Sequence, residues 1–190
     1  MIRLYAFLGN FGKEYEKSRH NVAWQFADSL SFLSCLNWQK KFKGQFASQV
    51  INENQIYFLK PETYMNLSGE SIGDALRFYK IKPEEILVIH DELELSCGII
   101  SLKWSGGLGG HNGLRSIKAT LGTADFWRLR FGIGRPSHDD VSGYVLGNFS
   151  KDENIVLSQS FLKTAELIDL LMIKEPNELL KDWKKVVNND

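Results

Sequence analysis

Cysteine is scarce in this 190-residue chain: there are two, Cys35 and Cys97. With no secretion signal beside them they read as free thiols in a reducing compartment. Neither sits in a spacing that suggests metal or redox chemistry, so both are expected to be small apolar core residues. No stretch approaches the ~20 apolar residues that span a bilayer. The start, MIRLYAFLGNFG, is too short for a signal peptide and lacks the Arg- and Ser-rich character of a transit peptide. A cytoplasmic protein with no membrane partner is therefore expected. Net charge is also missing: 23 basic residues balance 23 acidic ones. That excludes a wholly basic nucleic-acid coat protein but not a local basic patch. The balance is uneven along the chain, at +4 for residues 1–60, −5 for 61–100, +3 for 101–150 and −2 for 151–190. Repeats, low-complexity segments and Pro/Ser linkers are absent too, so residues 1–190 read as a single domain. A chain of this size hides about 70% of the surface its unfolded form exposes.

What is present alternates strand and helix signals. Arg3 to Leu8 is an apolar run ending at Gly9-Asn10. Asn21 to Leu33 has near-helical apolar spacing, with Asn21 as its N-cap. Two β-rich runs, Phe46 to Ile51 and Gln55 to Leu59, flank a hairpin signature at Asn52-Glu53-Asn54. Asn66 to Tyr79 reads as a helix. Ile86 to Ile89 is a continuous apolar run, the mark of a strand covered on both sides, and ends at His90-Asp91. Ile99 to Trp104 and Trp127 to Ile133 are further strands. Helices are expected over His111 to Leu121, Asp152 to Met172 and Pro176 to Val187. The fold class is α/β: a mixed, mostly parallel twisted sheet flanked by helices in three layers. Sites in such sheets form beyond the carboxyl ends of strands, and Asn10, His20 and Asp91 fall there.

Four histidines occur: His20, His90, His111 and His138. His20, in a loop between strand and helix, suits a general base, because an unperturbed imidazole has a pKa of ~6.5; a loop histidine without a role is the plainer alternative. His90 and Asp91 are strand neighbours, so only one can point into a given cleft. Asp91 is the better candidate, because a carboxylate on one ring nitrogen fixes the tautomer and frees the other nitrogen. The segment Ser105-Gly106-Gly107-Leu108-Gly109-Gly110-His111 precedes a helix and favours an anion or oxyanion at the helix start. It matches no GxxxxGK[ST] loop. Asn66 could cap its helix or bond a substrate carbonyl. Tyr15 and Tyr64 could stack on a base or pack on the surface. Lys103, Arg128 and Arg130 cluster on two strands beside the glycine loop, and the Arg fork suits phosphate. The Lys40-Lys41-Lys43 run reads as a solvated face.

Six motifs in order resemble the bacterial peptidyl-tRNA hydrolase family. They are Leu8-Gly9-Asn10-x-Gly12-x-x-Tyr15-x-x-Ser18-Arg19-His20-Asn21, Lys60-Pro61-x-Thr63-Tyr64-Met65-Asn66-Leu67-Ser68-Gly69, and His90-Asp91-Glu92-Leu93-Glu94-Leu95. Gly106-Gly107-x-Gly109-Gly110-His111-Asn112-Gly113-Leu114, Phe126 to Pro136 and Gly143 to Gly147 follow. The match covers about residues 3–150. Phe11, Ser18, Ala23 and Ser96-Cys97 depart from the family's usual residues without touching an assigned side chain.

The resemblance implies an esterase that cuts peptide from tRNA with water activated by His20 and oriented by Asp91. Asn10 is implied to bond the peptide and to separate peptidyl-tRNA from free aminoacyl-tRNA. Tyr15, Tyr64, Asn66 and Asn112 are implied to bind substrate and tRNA, and Met65 to form an apolar wall. Lys103 and Arg130 are implied to grip the 5′ phosphate at the acceptor stem. Residues 139–147 resemble a lid, and 151–190 hold C-terminal helices. No metal or cofactor is implied, and a monomer is expected. Two rivals stand beside this reading. One is a metal-dependent hydrolase built on His20, His90, Asp91 and His111. The other is a non-enzymatic RNA-binding module on the same fold.

Overall fold

The computed structural model describes residues 1–137 and 139–186; His138 and Val187, both named above, lie outside the described residues. Seven strands form one sheet. They are β1 (Leu4–Phe7), β2 (Gln39–Lys41), β3 (Gly44–Ile51), β4 (Asn54–Pro61), β5 (Ile86–Glu92), β6 (Ile100–Trp104) and β7 (Trp127–Gly132). Their order is β2-β3-β4-β1-β5-β7-β6. The central β4-β1-β5-β7 pairings are parallel, while β3 and β6 run the other way. Seven helices accompany them among the described residues: α1 (Val22–Ser29), α2 (Ser31–Ser34), α3 (Ser68–Tyr79), α4 (Asn112–Leu121), α5 (Val141–Leu146), α6 (Lys151–Leu171) and α7 (Pro176–Trp183). The α/β class with a mixed sheet is as the sequence leads one to expect.

Period-2 alternation on a strand buried on both faces divides the core in two. On β1, Tyr5 and Phe7 join Leu87, Ile89, Leu129 and Phe131 under α1, α6 and α7. Leu4 and Ala6, with Leu8 just beyond, join Ile86 and Val88 under α3 and α4. This second core contains no residue of β6 or β7 among those described. Alternation instead places Arg128 and Arg130 of β7 opposite Lys103 and Ser101 of β6. That half of the sheet face is polar.

Several elements differ from expectation. The helix expected over Asn21 to Leu33 is broken, because Leu30 is extended (φ −82°, ψ 104°) between α1 and α2. Asn21 caps nothing, because its side chain is spent on Asn10. Asn66 is likewise no cap; it sits in the 3-10 turn Met65–Leu67 that precedes α3. The lysine run is not merely a solvated face: Gln39–Lys41 is an edge strand, joined to β3 by Phe42-Lys43, both at φ 54°. Cys35 is exposed rather than in the core, and Cys97 is half-buried against it. α7 stops at Trp183, and Val186 then bridges to Ile100 on the β6 edge. No described helix is long and apolar enough to cross a membrane.

Candidate active site

A cleft of about 610 Å³ opens beyond the carboxyl ends of β1 and β5. Strand β1 ends at Phe7, and the chain runs through Asn10 into the 3-10 turn Arg19–Asn21, which carries His20. Strand β5 carries Asp91 to its end. Nδ1 of His20 lies 2.8 Å from Oδ1 of Asp91, 71 residues apart in sequence. Both side chains are buried, at 9% and 2% exposure. Nε2 of His20 has no hydrogen-bond partner among the described residues, and the ring lines the cleft. Burial opposes protonation of His20, but the Asp91 charge and its hydrogen bond outweigh it and hold the pKa above the ordinary 6.5. Asp91 is buried, yet His20 and His111 hold its carboxyl well below the usual range.

His111 completes the cluster. It is the N-cap of α4: its Nδ1 accepts from the backbone N–H of Gly113 at 3.1 Å and of Leu114 at 3.4 Å. Two donors aimed at Nδ1 leave the ring hydrogen on Nε2, which lies 2.9 Å from the same Asp91 oxygen. Asp91 Oδ1 therefore accepts from two imidazoles at once. The N–H groups read as free for an anion at this helix start are in part taken by His111. Gly113 lets α4 come this close, because a Cβ there would meet Met65 Sδ at 2.6 Å.

His20, Asp91 and His111 also bring three potential ligand atoms within 4.8 Å of one another. A metal would need the Nε2 lone pair of His111, and the α4 cap places a hydrogen there instead. The trio is wired as a hydrogen-bond cluster, which counts against the metal-dependent reading. His90 does not turn its back on the cleft as strand alternation suggests. It lines the wall and its Nδ1 donates to the Asp91 carbonyl at 2.6 Å. Burial keeps His90 neutral and its pKa well below ordinary.

Asn10 is fixed on three sides. Its Oδ1 accepts from the Met65 N–H at 2.8 Å. Its backbone N–H donates to Asn21 Oδ1 and its carbonyl accepts from Asn21 Nδ2, at 2.8 and 2.9 Å. The Asn10 amide thus presents its NH₂ to the cleft as a donor. Tyr15, Met65, Asn66 and Asn112 line the same cleft, with Asn66 and Asn112 exposed. Tyr64, 60% exposed, is not among the lining residues. α5 supplies Val141, Ser142, Val145 and Leu146 to the wall over the residues read as a lid. Its end is pinned by Arg19, whose N–H donates to Gly147 and whose guanidinium lies 4.3 Å from the Tyr144 ring centre and 3.0 Å from Glu153.

Lys103 and Arg130 stand apart from the cleft, on the polar half of the sheet. Arg130 pairs with Glu92 at 3.3 Å, and Glu92 in turn lines the cleft. Sequence reasoning missed the roles of Asn21 and His111. The only signal for either was membership of the motifs that hold His20 and Asn112.

The sequence matches the peptidyl-tRNA hydrolase family over residues 4–189. Peptidyl-tRNA hydrolase of Neisseria meningitidis serogroup B is 45% identical over 187 residues, covering 97% of this chain and 94% of that protein. That of Treponema pallidum is 45% identical over 192 residues, covering 97% and 95%. The crystal structure of peptidyl-tRNA hydrolase from Acinetobacter baumannii superposes with a TM-score of 0.89 at 36% identity, covering 96% of this chain and 94% of that one. A buried His–Asp pair in a cleft at the strand ends, on this sheet and with these relatives, leads to one assignment: the chain belongs to the peptidyl-tRNA hydrolase family.

Proposed function

We propose that this chain hydrolyses the ester between a peptide carboxyl and a tRNA ribose hydroxyl, with His20 as general base. The observation that carries the proposal is the 2.8 Å His20–Asp91 contact inside the cleft. Asp91 accepts the Nδ1 hydrogen and leaves Nε2 as a base. Nε2 takes a proton from water while the water oxygen bonds to the ester carbon. The tetrahedral oxyanion then collapses, the bond to the ribose oxygen breaks, and the imidazolium returns its proton to that oxygen. Atoms balance as water plus ester giving acid plus alcohol.

The Asn10 NH₂ donates to a carbonyl of the peptide. Asn66 and Asn112, exposed at the cleft, hydrogen-bond the carbonyl and water, and one donor to an oxyanion contributes about 10²–10³-fold. Met65 packs against the substrate and Tyr15 stacks on it. Tyr64, on the outer surface, fits contact with the tRNA body better than with the reacting end. Lys103 and Arg130 hold the 5′ phosphate beside the acceptor stem, and α5 acts as the lid. The protein acts as a monomer in the cytoplasm.

A free α-amino group would bring a positive charge to the place where Asn10 offers hydrogen-bond donors. Release of the acyl group is therefore expected from N-blocked aminoacyl-tRNA and to be at least about 10²-fold slower from the unblocked form. Equal rates on the two would remove Asn10 from its role. No release from either would leave the RNA-binding-module reading.

A further inference from the structure

Arg128 is a buried charge without a counter-charge among the described residues. It is 1% exposed on β7, between the glycine loop and the sheet. Its Nη1 donates to the Gly107 carbonyl at 2.8 Å, while Nε and Nη2 are buried without a partner. No carboxylate forms an ion pair with it among the described residues. Glu92, the acid whose charge acts on Arg128, is taken by Arg130 at 3.3 Å. Three cations, Lys103, Arg128 and Arg130, share one face with that single acid. Burial and the charges of Arg130 and Arg128 hold the Lys103 pKa below ordinary, the mark of a site short of negative charge. A buried cation without a counter-charge is costly. A phosphate monoester, carrying two charges and three acceptor oxygens, answers it.

The Gly107 contact gives Arg128 a second hand. The loop holds four residues at positive φ: Ser105 (49°), Gly106 (93°), Gly109 (57°) and Gly110 (77°). Gly106 packs where a Cβ would stand 3.4 Å from Arg128 Nη2 and 3.5 Å from Lys103 Nζ. The loop ends at His111, which caps α4 and donates to Asp91. One guanidinium therefore touches both the cation cluster and the loop that leads to the reacting centre.

We propose that Arg128 is a positioning residue whose buried Nη2 takes an RNA-end phosphate as Gly106 shifts off it, while its Nη1 holds Gly107, so that phosphate binding sets the loop and, through His111, the His20–Asp91 pair. The inference rests on the phosphate reading of Lys103 and Arg130 given above. It adds that the phosphate raises kcat as well as lowering KM.

The test uses N-blocked aminoacyl minihelix RNA ending in a 5′ phosphate or a 5′ hydroxyl. In the wild type the hydroxyl form should show a higher KM and a kcat lower by roughly tenfold, a usual size for coupling between sites. Arg128→Lys keeps the charge but cannot hold carbonyl and phosphate together in one fork. Its kcat on the phosphorylated RNA should fall to the wild-type value on the hydroxyl RNA, while KM still responds to the phosphate. Arg130→Gln should lose chiefly the KM response. A phosphate effect on wild-type KM alone, or an unchanged kcat response in Arg128→Lys, overturns the role of Arg128 and leaves the clamp. No wild-type effect on either constant overturns the clamp and this inference together. Should Arg128→Lys fail to fold, the wild type answers by NMR. Titration with a 5′-phosphorylated dinucleotide, but not its 5′-hydroxyl form, should move the Gly107 amide and His111 ring signals. Shifts confined to Lys103 and Arg130 overturn the proposal.

Discussion

The His20 ring has to be neutral to act as a base, yet its surroundings favour the charged form. The rate limb in kcat/KM should therefore lie above the ordinary histidine value of 6.5, with activity lost as pH falls through it. The stability linked to this group has the opposite sense. It is complete below the unfolded pKa and is lost as pH rises through the raised folded one. The best pH for turnover is thus not the best for the ion pair. Asp91→Asn separates the contributions: it removes the charge that raises the His20 pKa and leaves burial, so the limb should move to lower pH. The plateau rate should fall by up to roughly 10⁴-fold, because Asn does not enforce the same tautomer. A limb that stays in place in Asp91→Asn would contradict the pairing. At this scale His20, Asp91 and Asn10 were legible in the sequence because they sit in contiguous motifs. The Asn21–Asn10 and His111–Asp91 bonds were not: their partners lie 11 and 20 residues apart, at spacings set by the fold.

At the scale of elements, the turn carrying His20 is tied to the β1 end by one side chain. Asn21 satisfies both the N–H and the carbonyl of buried Asn10. Asn21→Ala should cost about 1–3 kcal/mol by leaving them unpaired. It should also lower kcat/KM without moving the pH limb, since His20 and Asp91 are untouched. Thermal melts and a pH–rate profile check both halves; a shifted limb would mean that Asn21 also sets the His20 environment. Strand and helix positions were largely legible, since the apolar runs of β1 and β5 need burial on both faces. The break at Leu30 was not, because an apolar residue there fits either a continuous helix or a turn that buries it at 4% exposure. Strand β2 escaped as well. Gln39-Lys40-Lys41 has no apolar alternation, and its turn uses Phe42-Lys43 where glycine or asparagine is the usual signal.

Across the whole molecule, a neutral protein concentrates its charge where the fold needs it. The second core stops short of β6 and β7, and cations occupy the sheet face that apolar residues would otherwise fill. The sequence showed the cluster of Lys103, Arg128 and Arg130, since neighbouring strands bring those positions together; it did not show that Arg128 lies buried under the glycine loop. Phosphate contacts release counterions, so tRNA affinity should fall as salt rises, and Lys103→Ala should reduce the log–log slope by about one. Affinity flat across salt would remove the phosphate from the interface.

Turnover depends on one imidazole acting on water in a cleft that binds its substrate independently. Single-turnover hydrolysis of N-blocked aminoacyl-tRNA by His20→Ala, with tRNA affinity measured on the same preparation, tests this most directly. The rate should fall by at least about 10²–10⁴-fold while tRNA affinity is unchanged. A variant that binds tRNA normally and keeps most of its rate would contradict it.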